Sequence, residues 1–237
     1  MKRYQIAGLQ VDMDAVGRTA ERAAAYEVPA QGPADIQICC SAEEIMALNP
    51  HLPCPDSALY LGTGAIFARE LLAYEGIYLH ASAVELDGKA YLFSADSGVG
   101  KSTHTEKWCR LFGAAYLNDD KPALRRINGV WMAYGTPWSG KNDLSTPKGV
   151  PLGGIAFLKR DEENSIRRLS AVEAVPPLMH QSMWRLEKEQ MEKSLTLLDD
   201  LIRKIPIWEL TCRNEDAAAF LSRDAMTGNG CGQETGK

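Results

Sequence analysis

The stretch Ala95-Asp96-Ser97-Gly98-Val99-Gly100-Lys101-Ser102 decides how the rest of the chain is read. An apolar run before it, Lys89-Ala90-Tyr91-Leu92-Phe93-Ser94, reads as a strand, and a helical segment follows from Lys101 to about Leu111. A strand, a sharp glycine-bearing turn and a helix N-terminus aim backbone N–H groups and the positive end of the helix at one point, which suits an anion. In that geometry Ser97, Gly98, Val99, Gly100, Lys101, Ser102 and Thr103 surround the phosphates of ATP or another nucleoside triphosphate. Lys101 reaches the outer phosphates and the Ser102 hydroxyl is a ligand for Mg²⁺. One position departs from the eight-residue pattern. Ala95 stands where a glycine is usual, and it restricts a backbone that often needs unusual torsions there.

Outward from the loop, Ala114-Ala115-Tyr116-Leu117-Asn118 reads as a strand that delivers Asp119 and Asp120 at its end, seventeen and eighteen residues past Ser102. Two acids at a strand end beside a phosphate loop suit metal coordination and proton abstraction. Adjacent strand residues point to opposite faces, so both serve one site only if the strand stops before them; an N-cap or turn role is the plain alternative. His80 precedes the loop-bearing strand, inside Ile77-Tyr78-Leu79-His80-Ala81-Ser82-Ala83-Val84, read as one strand with Asp87-Gly88 as its hairpin turn. Tyr134 to Asp143 is a polar loop in which Trp138 and Lys141 suit a substrate or base platform, an ordinary surface turn being the alternative. His51, His104 and His180 lack metal-ligand spacing, and His104 is expected to face solvent.

The remaining segments organise around this core. Tyr4 to Val11 and Ile36 to Cys39 read as strands, with a helix between about Ala15 and Tyr26. Three prolines within Asn49-Pro50-His51-Leu52-Pro53-Cys54-Pro55 exclude a helix or central strand there and mark a boundary. Residues 1–58 are thus expected to form a small N-terminal α+β subdomain leaning on a core at 59–225, with a glycine-rich disordered tail at 226–237. Gly64 to Tyr74 has helical spacing. Ala123 to Arg126, Val130 to Tyr134 and Gly154 to Leu158 read as strands, Ala171 to Lys204 as helical, and Ile207 to Leu210 as a last strand.

Composition bounds the function classes. The 237 residues are 45% hydrophobic and 24% charged, as in an ordinary globular protein. A net charge of -5 speaks against non-specific nucleic-acid binding, which rests on a basic surface. Six cysteines form no C-x-x-C pair, and neither a leader-like segment nor a run long and apolar enough for a membrane span is present. A reduced, cytoplasmic protein without membrane or nucleic-acid partners is expected, its oligomeric state open, a homo-oligomer included.

The constellation resembles the catalytic domain of HPr kinase/phosphorylase, in the superfamily that also holds phosphoenolpyruvate carboxykinase. The resemblance runs from about His80 to Asp120, and more loosely to Arg160. His80 stands fifteen residues before Ala95, Asp96 to Ser102 matches the family's loop, and Asp119-Asp120 matches its paired aspartates with about one extra residue between. It implies an α/β P-loop core with a mixed sheet and flanking helices. It also implies ATP- and Mg²⁺-dependent transfer of a phosphoryl group to a hydroxyl of a small molecule or peptide. Ser102 and Asp119 would hold the metal, Lys101 would neutralise the transferred group, Asp120 would take the hydroxyl proton and His80 would orient that site, the division between the two aspartates staying open. Pro151-Leu152-Gly153-Gly154-Ile155 lacks the arginine of the family's signature in this region, which points to compact relatives, some of which phosphorylate serine free or in a peptide. A nucleotide-sensing module without turnover and a carboxykinase-type lyase are the alternatives.

Overall fold

The structure is a computed structural model that describes residues 1–182 and 186–228. It opens on a hairpin, β1 (Lys2–Ile6) and β2 (Leu9–Met13). Ala7 and Gly8 turn it with φ of 52° and 75°, the doubly left-handed pair that matches strand twist. The expected single strand from Tyr4 to Val11 is therefore two. Helix α1 (Gly17–Ala23) continues into a 3-10 turn, and β3 (Ile36–Ile38) pairs parallel with β2. Helix α2 (Ala42–Leu48), unread in the sequence, is capped by Ser41, whose hydroxyl accepts the Glu44 N–H.

Helix α3 (Pro55–Glu70) starts on a proline. At the first helical position the missing N–H is one that would have had no partner. The last of the three prolines thus opens a helix, and the boundary expected at 58 falls inside α3. Phe67 and Leu71 from this region pack with Tyr4, Ile6, Val11 and Met13 of the hairpin and with Trp138, so the small sheet and the rest of the chain share a core.

The chain then runs through β4 (Gly76–Tyr78), β5 (Ala81–Leu86), β6 (Lys89–Ser94), α4 (Lys101–Phe112), β7 (Ala115–Asn118), β8 (Ala123–Ile127), β9 (Val130–Tyr134), β10 (Gly149–Arg160), β11 (Ser165–Arg168), α5 (Ala171–Ser182), α6 (Lys188–Lys204), β12 (Ile207–Cys212) and α7 (Asp216–Thr227). Ile77 to Val84 is two strands rather than one, because β4 pairs with β8 whereas β5 pairs with β6 and β7; Leu79 and His80 form the step between them. Ala171 to Lys204 is two helices rather than one, since α6 begins with its own capping box between Glu187 and Gln190. Met226 is buried on α7, so the first residues of the expected tail are helical; residues 229–237 lie outside the described residues.

Nine strands form one mixed sheet in which β10 is the junction. Its first residues pair antiparallel with β9, and from Leu152 onward it lies parallel between β6 and β12. Alternation along β6 covers both faces: Ala90 and Leu92 pack toward α5 and α6, while Tyr91 and Phe93 pack toward Trp108 of α4 and Ala219 of α7. A sheet buried on both sides calls for strands that are apolar almost throughout, as β6 is. The chain is thus a mixed α/β protein with a mixed sheet and flanking helices. Among the described residues no helix is long and apolar enough to cross a membrane.

Candidate functional site

The loop between β6 and α4 has the backbone its sequence calls for. Gly98 and Gly100 sit at φ of 82° and 126°, where a side chain is strained, and Gly100 caps α4, accepting the His104 N–H at 2.9 Å. Ala95 lies outside the left-handed region and its methyl is buried in the core, so the missing first glycine does not disturb the turn. Lys101 is buried, and its Nζ donates to the Ala95 carbonyl at 2.7 Å and the Asp96 carbonyl at 3.5 Å. Burial pushes the Lys101 ammonium down, against the pull of Asp120 and Asp96. From the far side, Arg160 Nε donates to the Val99 carbonyl at 3.1 Å and anchors the turn.

Strand β7 stops at Asn118, whose Oδ1 accepts the N–H groups of Asp120 at 2.8 Å and Lys121 at 2.6 Å. This side-chain turn frees the two aspartates from strand alternation and lets both line one cleft with Lys101, Ser102 and His80. Asp119 is 6% exposed. Burial raises its pKa, opposed by the Gly140 N–H that its Oδ1 accepts and reinforced by the charge of Asp120. Gly140 has no room for a side chain, since a Cβ there would stand 2.9 Å from Asp119 Oδ2. Asp120 Oδ1 lies 3.3 Å from His80 Nε2 and its other oxygen binds Lys121. Burial alone would push the Asp120 carboxyl up, but His80 and Lys121 outweigh it and hold it at about 2.

The cleft measures about 800 Å³. Its far wall is the one the sequence reading missed: Arg18 and Arg22 from α1 and Tyr60 from α3. Arg22 donates to the carbonyls of Ser139 at 2.7 Å and Gly140 at 2.8 Å, lies 3.1 Å from Asp143, and covers the Tyr60 ring at 5.0 Å. Only the spacing of Arg18 and Arg22, four apart on one helix face, hinted at a shared role. A second cavity of about 570 Å³ lies on the other side of the loop, and Gly100 and Thr103 border both.

Two expectations are corrected. Trp138 is no platform: it is 1% exposed, stacked on Phe67 at 5.0 Å between ring centroids, with Nε1 donating to Thr63 Oγ1 at 3.1 Å. An apolar ring of that size is worth more in the core between α3 and β4 than on a loop surface. His104 does not face solvent. It is 4% exposed, bonded to Ser222 Oγ at 2.9 Å, and burial lowers its pKa to about 4. Lys141 is exposed on the cleft rim. The site therefore gathers Ser97, Gly98, Gly100, Lys101, Ser102, Thr103, Asp119, Asp120, His80 and Lys141, with Val99 on the side of the second cavity.

Mg²⁺ commonly keeps several waters and takes one or two carboxylates together with substrate phosphates. The residues fit that demand. The Ser102 hydroxyl is exposed and makes no hydrogen bond among the described residues. Across the cleft the Asp119 carboxyl is buried, and burial raises its pKa.

No protein-family model and no curated protein matches this chain. Among solved structures, the Hpr(Ser) kinase/phosphatase from Coxiella burnetii is similar over 64% of this chain and 97% of its own, at 12% sequence identity and a TM-score of 0.39. A likeness that slight decides nothing about the chemistry.

Proposed function

We propose that the chain is a nucleoside-triphosphate-dependent phosphotransferase that acts, with Mg²⁺, on a hydroxyl of a small molecule or a serine-like peptide side chain. The observation that carries this reading is the convergence of Lys101, Ser102, Asp119, Asp120 and His80 on one cleft. A module that only senses nucleotide needs the loop and no carboxylate–imidazole pair, so Asp120 beside His80 favours turnover.

The phosphates belong along the loop backbone and the N-terminus of α4. The nucleoside belongs in the 570 Å³ cavity, which shares Gly100 and Thr103 with the main cleft, leaving the 800 Å³ side for the acceptor. Ser102 and Asp119 would hold the metal, whose chemistry when bound is to neutralise charge on the transferred group. Lys101 leaves the Ala95 carbonyl for a phosphate oxygen. Asp120, ionised throughout the neutral range, orients the acceptor hydroxyl and takes its proton. A weak base suffices, because phosphoryl transfer rests mostly on positioning and charge stabilisation.

The test is calorimetric titration of Mg-ATP into the wild-type chain and Lys101→Ala, followed by a screen of serine, threonine, sugars, polyols and Ser-containing peptides with labelled ATP. Strong binding lost in the variant and acceptor-dependent turnover are expected. Equal affinities would remove Lys101 from the site, and binding without turnover on any acceptor would make the chain a nucleotide sensor.

A further inference from the structure

Four cationic side chains border the 800 Å³ cleft, Arg18, Arg22, Lys101 and Lys141, against the carboxylates of Asp119 and Asp120, in a chain whose net charge is -5. Two of the four are engaged. Lys101 belongs to the phosphate loop, and Arg22 is held by the carbonyls of Ser139 and Gly140 and by Asp143. Arg18 and Lys141 are left, and both are exposed. The Lys141 ammonium has no hydrogen bond or ion pair among the described residues. The Arg18 guanidinium makes no hydrogen bond among them, and its ion pair with Asp56 is loose, at 3.8 Å. Both stand on fixed supports. The Tyr60 hydroxyl donates to the Ser139 carbonyl at 2.7 Å and accepts from Arg22 at 2.6 Å, which holds the ring, and the Arg18 guanidinium lies 5.3 Å from the ring centroid. Lys141 follows Gly140, whose carbonyl accepts from Arg22 and whose N–H donates to Asp119.

We infer that Arg18 and Lys141 form an anion-binding subsite on the acceptor side of the cleft, so that the hydroxyl compound this chain phosphorylates carries a carboxylate or phosphate of its own. The acceptor role rests on the phosphotransferase reading; binding of an anion at this wall does not. A neutral acceptor gains nothing from two unengaged cations. An anionic one has to enter a cleft that already holds two carboxylates and, with nucleotide bound, a negative triphosphate. Opposite charge on the far wall offsets that repulsion and decides which end of the compound points toward Asp120. The planar fork of Arg18 matches either a carboxylate or a phosphate, and Lys141 adds a point charge that reaches both.

The experiment is calorimetric titration of glycerate, glycerol 3-phosphate and neutral glycerol into the full chain loaded with excess Mg²⁺ and a non-hydrolysable ATP analogue. It is repeated with Arg18→Gln, Lys141→Gln and the double variant, whose folds are checked by thermal melting. At least one of the two anions should bind and glycerol should not, and added salt should weaken the binding. The tighter of the two anions tells a carboxylate subsite from a phosphate one. Each single variant should lose about tenfold in affinity for the anion and keep its affinity for the nucleotide analogue. Binding of neither anion, or equal binding in the wild type and the double variant, overturns the subsite. So does a loss of nucleotide affinity in the variants, since the two cations would then serve the triphosphate. Anion binding that needs both residues, in a chain that turns over no acceptor with labelled ATP, would sink the phosphotransferase reading and leave the subsite standing. Turnover of neutral acceptors alone would do the reverse.

Discussion

At Asp119 and Asp120, neighbours in sequence have opposite electrostatic fates. Burial dominates at Asp119, while His80 and Lys121 overcome it at Asp120. That split is in keeping with the proposed division of roles, Asp119 toward the metal and Asp120 toward the hydroxyl proton. Asp120→Asn keeps the shape but removes the acceptor, so acceptor-dependent rate should fall by about 10²- to 10⁴-fold while Mg-ATP affinity hardly moves. Asp119→Asn should instead weaken Mg²⁺ binding, with activity returning as Mg²⁺ is raised. Rate measurements across a Mg²⁺ series separate the two, and identical behaviour would refute the division. His104 gives a second expectation at this scale, independent of function. Its folded pKa of about 4 lies below the ordinary 6.5, so between those values the unfolded chain binds the extra proton and stability rises with pH. The contribution is complete above about pH 6.5 and is lost as pH falls toward about 4, an upper figure of about 3 kcal/mol. Urea unfolding of wild type and His104→Gln at about pH 7.5 and about pH 4.5 checks it; an equal pH dependence in both would show that the histidine is not the source.

Among the elements, α3 and the loop that carries Trp138 are joined through ring stacking on Phe67 and the bond to Thr63. Trp138→Ala should therefore destabilise the fold by about 3–5 kcal/mol, read as a lower denaturant midpoint, whereas exposed Lys141→Ala should leave the midpoint unchanged. A Trp138→Ala midpoint equal to wild type would contradict the core assignment. The misreading of Trp138 is physical: the loop around it is polar, and nothing local reveals that α3 comes back over it. The same holds for β11, Ser165–Arg168, an exposed polar strand that pairs with β12, and for α7, whose buried face is Ala218, Ala219, Ser222 and Met226. Small and polar residues signal little until the sheet beneath them is known. By contrast, β6, α4 and the turn at Asp87-Gly88 are legible, because apolar runs, a glycine-bearing loop and left-handed turn residues carry their conformation locally. The burial of His104 has a local signal in its helical spacing, since Lys101, His104, Thr105 and Trp108 are all buried on one face of α4. At the site, the loop, His80 and both aspartates could be read from the sequence. Arg22 could not, since it stands on an element brought there by tertiary packing.

For the whole molecule, the first seventy residues are a wall of the cleft rather than an appendage. Arg22 spans the carbonyls of Ser139 and Gly140 from α1, and Gly140 in turn donates its N–H to Asp119. The N-terminal segment thus reaches the proposed metal ligand through two bonds, and the guanidinium that does so is 10% exposed. Groups that orient a metal ligand commonly contribute about 10- to 100-fold in metal affinity. Arg22→Ala should therefore raise the Mg²⁺ concentration needed for half-maximal turnover by about that factor. Arg22→Lys should fail to restore it, because a single ammonium cannot bridge two carbonyls in the fixed fork of a guanidinium. Exposed Arg18→Ala serves as the comparison: it borders the cleft without touching the Ser139–Gly140 backbone, so it should raise the acceptor KM and leave the Mg²⁺ requirement alone. Thermal melting of each variant shows whether the fold survives. The decisive case is a folded Arg22→Ala chain whose Mg²⁺ requirement equals that of wild type, which would mean that Asp119 holds its place without the N-terminal wall and that residues 1–70 contribute only core.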